Sequence, residues 1–75
     1  MKFGQRVKDL RQQHGWQVVA LARRVEVPRQ TLNYIEIGAS PYTGRPPKVA
    51  VDTLLKLAAA FGLTLAELFE GVDDV

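Results

Sequence analysis

The sequence predicts an all-α fold, a compact five-helix domain in which helices two and three form a helix-turn-helix. Three observations predict it. Apolar residues recur at helical spacing along most of the 75-residue chain. Gly15, Gly38 and Gly62 each follow such a run, at the place where glycine closes a helix. Between residues 17 and 38, two apolar stripes are separated only by Glu26, Val27 and Pro28, a gap that fits a tight turn.

The first helix is expected over residues 2–14. Phe3, Val7 and Leu10 stand at i, i+4 and i+7 and form its inward stripe, with Arg6, Lys8 and Arg11 around it. Gly15 ends it, and His14 sits where the helix dipole favours a cation. Trp16 is expected as a staple on the core. Helix two covers 17–25 with Leu21, Ala22 and Val25 inward. The small Ala22 lets the axes of helices two and three approach closely. Pro28 lacks an N–H and has a pre-set φ, so it suits the first turn of helix three, over 28–37. Leu32 and Ile35 carry the apolar stripe of that helix. Residues 39–50 hold three prolines and Gly44 and form a loop. Helix four starts at Val51 or Asp52, and Asp52 suits its cap or first turn. Its expected buried face is Leu54, Leu55, Leu57, Ala58 and Phe61, and Gly62 is its end. Thr64 and Glu67 have capping-box spacing for helix five, which turns Leu65, Leu68 and Phe69 inward. The domain is thus 1–71, with an extended loop at 39–50 and a frayed tail at 72–75.

Composition narrows the function classes. There is no cysteine and one histidine, so disulfides, thiolate metal sites and histidine clusters are excluded, and no catalytic triad is available. No nucleophile–base pair suggests an enzyme, and no cofactor is expected. No apolar run approaches the roughly 18 residues that span a bilayer, and no signal peptide is visible, so a cytoplasmic protein without membrane contact is expected. The net charge of +2 is unevenly spread. Residues 1–56 hold all ten Lys and Arg against four acids, a net of +6. Residues 57–75 hold four acids and no Lys or Arg, a net of −4. The basic part coincides with the helix-turn-helix, as attraction to phosphate requires.

The chain resembles the lambda-repressor-like (Xre/Cro-type) helix-turn-helix family over nearly its whole length. The residues that carry the resemblance are Arg6-Val7-Lys8 with Leu10-Arg11, Trp16, Leu21-Ala22, Thr31-Leu32, Ile35-Glu36 and Gly38. Residues 53–58 and 61–69 match helices four and five. Four features depart from the family pattern. Val18 stands where a phosphate-gripping Gln is usual, Glu26 where the turn usually has Gly, and Ile37 where a polar or basic residue is usual. The loop after Gly38 is longer than the family's.

Helix three opens with a donor-rich face of Arg29, Gln30, Thr31, Asn33 and Tyr34, a type of surface that reads base edges. The resemblance implies that its first turns contact bases. Arg29 then suits guanine, Gln30 adenine, Tyr34 a phosphate or a thymine methyl, and the Pro28 ring a thymine methyl. Gln17, Thr31 and Asn33 are expected at the DNA backbone. Arg45 and Lys48 of the loop are expected there too, and Gly44-Arg45-Pro46 also resembles the core of a minor-groove AT-hook. The resemblance further implies a structural ion pair between Arg11 and Glu36. The expected function is sequence-specific binding of double-stranded DNA, as a repressor acting as a homodimer on a near-palindromic operator. The acidic, apolar end (Leu63, Leu65, Leu68, Phe69, Val72) is the expected pairing surface. Two alternatives stand beside it: the antitoxin of a toxin–antitoxin pair, with a toxin as protein partner, and a protein-interaction module that has lost DNA binding.

Overall fold

Five helices follow one another: α1 (Phe3–Gln13), α2 (Val18–Val25), α3 (Arg29–Ile37), α4 (Val51–Phe61) and α5 (Leu65–Leu68). The structure, a computed structural model, describes residues 1–45 and 47–73, and among these there is no strand. Pro46, Asp74 and Val75 lie outside the described residues. Helix α1 packs on α3, α2 on both α3 and α4, and α4 on α5. Val7, Leu10, Leu21, Val25, Leu32, Leu57, Phe61 and Leu68 meet in one core.

The helix ends are set locally. At the end of α1, Trp16 N–H donates to the Arg11 carbonyl and Gly15 N–H to that of Gln12, with Gly15 at φ +70°. This is a Schellman closure. Gly62 closes α4 in the same way, through Leu63 N–H to the Ala58 carbonyl. Helix α2 closes identically, with Val27 N–H donating to the Ala22 carbonyl, but its left-handed residue is Glu26 at φ 58°. Glu26 is the sole non-glycine with positive φ among the described residues. An exposed ion pair of 3.4 Å joins it to Lys56 on α4. Asp52, through a side-chain hydrogen bond, and then Glu26 hold the Lys56 ammonium above its ordinary value of 10.5. Helix α5 has a full capping box: Glu67 N–H donates to Thr64 Oγ1 at 3.1 Å, and Thr64 N–H to Glu67 Oε1 at 2.9 Å.

Three expectations are corrected. Leu55 is 51% exposed and does not belong to the buried face of α4. Leu54, Leu57, Ala58 and Phe61 follow the i, i+3, i+4, i+7 rule of one face, whereas Leu55 aligns with Val51 on the outer side. Leu65 is also exposed, because it is the first residue of a single-turn helix whose inward side is held by Leu68. The tail is not frayed at its start. Asp73 N–H donates to the Met1 carbonyl at 3.0 Å, and the Met1 amino group to the Gly71 carbonyl at 2.8 Å. Arg6 ties the same end to α1, donating to the carbonyls of Glu67 and Leu68 at 2.7 and 3.2 Å.

Candidate nucleic-acid interface

Helix α3 is held on two sides before it presents anything. Arg11 Nε donates to Glu36 Oε2 at 2.8 Å and Arg11 Nη2 to Glu36 Oε1 at 3.0 Å, a bidentate pair between α1 and the last turn of α3. Arg11 Nη1 also donates to the Trp16 carbonyl at 2.8 Å. Both side chains are nearly buried, at 12% and 7% exposure, so the pair acts in a low-dielectric setting where geometry matters. The second hold is steric. A Cβ placed on Gly4 would collide with the Ile35 carbonyl oxygen and lie 2.5 Å from that of Glu36. The backbone of α1 therefore lies directly on the end of α3, an approach only glycine permits. Gly4 carries no signal in the sequence beyond its being a glycine inside a helical run, so sequence reasoning does not single it out.

The outer face of α3 is polar and free. Pro28 takes the N-cap position and is exposed, as are Arg29 and Gln30. Thr31, Asn33 and Tyr34 are half-buried along its flanks. Among the described residues, Arg29, Gln30, Asn33 and Tyr34 have no internal hydrogen-bond or ion-pair partner for their side chains. Gln17, at the N-cap of α2, makes no side-chain cap bond, so its amide is free as well. Pro28, Arg29 and Gln30 lie together in sequence at the start of α3. Arg45 and Lys48 lie apart from them, exposed on the loop between α3 and α4.

Val18 and Ile37 line one surface hollow, with Gln5, Lys8 and Asn33 around it. Ile37 is 72% exposed. At this junction of α1, α2 and α3, the cationic group without an internal partner is Lys8, and the amide of Asn33 faces the same space. In the sequence Lys8 stands only as part of the basic flank of helix one, since its neighbourhood depends on how α1 crosses the motif.

The internal bonding also sorts the cations. Arg6 holds α5, Arg11 holds Glu36, Lys56 holds Asp52 and Glu26, and Arg24 lies 4.2 Å over the Trp16 ring. Among the described residues, Lys2, Lys8, Arg23, Arg29, Arg45 and Lys48 have no internal partner. All six precede α4, so the charge left over for an external anion sits on the helix-turn-helix, α1 and the loop.

Comparison with known proteins agrees with this architecture. A family model described as "Helix-turn-helix domain" matches residues 2–70. Among solved structures, a chain of the SinR protein/SinI protein complex superposes with a TM-score of 0.75 at 24% identity, covering 96% of this chain and 68% of that one. At that identity the likeness speaks for the fold. No curated protein matches the chain.

Proposed function

The chain belongs to the helix-turn-helix domain family, and from that premise we propose that it binds specific sequences of double-stranded DNA as a transcriptional repressor in the cytoplasm. The observation that carries the reading is the outer face of α3. Four side chains that donate or accept hydrogen bonds stand there unpartnered, on a helix fixed by Arg11–Glu36 and by Gly4. A polar face held rigid and left unsatisfied is what base reading in the major groove needs. Arg29 and Gln30 read bases, with Pro28 and Tyr34 beside them. Gln17, Thr31, Asn33 and Lys8 contact the backbone around the groove. Among the described residues, no helix is long and apolar enough to cross a membrane.

The protein acts as a homodimer. One small module covers too little DNA for high affinity, and two-fold pairing is the general remedy. We propose a pairing face other than the acidic, apolar end. Leu68 is fully buried in its own core and Phe69 stacks on Phe3 at 4.9 Å, so neither is free. Val51, at 66% exposure, and Leu55, at 51%, form an outward apolar stripe on α4. That stripe is the proposed dimer face.

Selection of sites from a random duplex pool tests the reading. The expected result is an inverted repeat with half-sites about one helical turn, roughly 34 Å, apart. Failure to enrich any site, with no salt-sensitive binding to random duplex, overturns it. A second reading, a protein partner such as a toxin, draws on the Val18–Ile37 hollow and on the neighbouring structure's being a complex of two proteins. Copurification of a stoichiometric partner that blocks DNA binding supports it.

A further inference from the structure

The loop between α3 and α4 is built rather than slack. Ser40 N–H donates to the Arg45 carbonyl at 2.7 Å, and Gly44 N–H to the Ser40 carbonyl at 2.8 Å, which closes residues 40–45 into a ring. Inside the ring, Tyr42 N–H donates to Ser40 Oγ at 3.3 Å and Arg45 N–H to Thr43 Oγ1 at 3.2 Å. Both hydroxyl oxygens thus act as acceptors, and both hydroxyl hydrogens remain able to donate outward. Ser40, Thr43, Arg45, Pro47 and Lys48 line one hollow. No carboxylate lines it, and among the described residues neither cation has an internal partner. Two cations and two hydroxyl donors lining one hollow, with no acid among them, suit the oxygens of a single phosphate group, which accept several hydrogen bonds. Ring closure lowers the conformational entropy lost when an anion is held there.

We infer that Arg45 and Lys48, with Ser40 and Thr43, form one clamp on a single backbone phosphate of the bound DNA. The inference rests on the DNA-binding reading and deepens it. The clamp compensates for the apolar Val18 and Ile37, which line the hollow where α1, α2 and α3 meet. The loop that carries it begins directly after Gly38, the C-cap of α3, and in this reading the clamp grips a strand bordering the groove that α3 enters. Because both cations serve one phosphate, their effects overlap instead of adding. Arg45 holds the anion from the ring and does not insert into a minor groove.

The test measures affinity for the selected operator and for random duplex as a function of salt, in the wild type, Arg45→Ala, Lys48→Ala and the double variant. The three variants carry changes at exposed positions, and thermal melting checks that each is folded. One phosphate contact contributes about 0.9 to the slope of log affinity against log salt. The double variant is expected to lose about 0.9 in slope, with each single variant losing a part of it, equally on operator and random DNA and whatever the flanking base composition. On going from 50 to 200 mM salt, its affinity then falls about 3.5-fold less than that of the wild type. An unchanged slope in the double variant overturns the clamp while leaving DNA binding standing. A loss of about 1.8 shows two separate phosphates and overturns the shared clamp. A loss confined to A·T-rich flanks shows minor-groove insertion and overturns it as well. Absence of salt-sensitive DNA binding in the wild type overturns the clamp together with the reading beneath it.

Discussion

Arg29 and Gln30 bear most directly on the proposed function. They are exposed at the start of α3 and unpartnered, so alanine at either removes no internal contact. Each substitution is expected to cost roughly 1–3 kcal/mol on the selected operator. Random duplex should register almost nothing for Gln30→Ala and a small loss for Arg29→Ala. Competition gel shifts check this, and equal losses on both DNAs would reduce the pair to backbone contacts. Glu26 poses a different question. It occupies a left-handed conformation that costs a non-glycine residue about 1 kcal/mol, and its exposed bridge to Lys56 returns less than about 1 kcal/mol. Glu26→Gly is therefore expected to raise the melting temperature, with DNA binding unchanged. A lower melting temperature would mean that the Lys56 contact outweighs the backbone strain. The departure of Glu26 from the family's glycine is legible in the sequence, and so is its consequence, because a Schellman closure is determined by a few consecutive residues.

At the scale of elements, the position of α3 on α1 decides whether its polar face can dock. Glu36→Ala leaves the Arg11 guanidinium nearly buried with only the Trp16 carbonyl. The expected loss of stability is about 3 kcal/mol, read by chemical denaturation. Arg11→Met combined with Glu36→Leu should recover most of it, since no buried charge is then stranded. If Glu36→Ala melts like the wild type, the pair does not hold the helix. Gly4→Ala tests the steric hold. An exposed helix gains about 1 kcal/mol from such a change. Here the new methyl meets the backbone oxygens of Ile35 and Glu36, which cannot move without α3. We expect a net loss of roughly 1–3 kcal/mol and a larger drop on the operator than on random duplex. A stabilised variant with full specificity would show that the crossing has slack. Gly15, Gly62 and the Thr64–Glu67 box can be read from the chain because each acts within its own helix end. Gly4 and Lys8 cannot, because their roles exist only where α1 crosses α3. Leu55 misleads for a related reason: α4 is apolar on more than one side, so periodicity alone does not say which side faces inward.

For the whole molecule, charge and apolar surface are kept apart. The unpaired cations lie on α1, the helix-turn-helix and the loop, while Glu67, Glu70 and Asp73 surround α5. The exposed apolar stripe of Val51 and Leu55 lies on α4, beyond the basic surface. A second copy meeting this stripe two-fold would cover apolar area on α4, an element other than the α3 proposed to read bases. Leu55→Glu tests that arrangement. Because Leu55 points outward, the variant is expected to melt within about 1 kcal/mol of the wild type. Two negative charges brought face to face would oppose pairing. Affinity for a full operator should fall at least about tenfold, the size of 1.4 kcal/mol, while affinity for an isolated half-site stays the same. Sedimentation of the free protein should shift toward the monomer in parallel. If the full operator and the half-site weaken together, Leu55 acts on the fold or on DNA directly. If neither weakens, the copies pair elsewhere, and the stripe on α4 is left to a different protein partner.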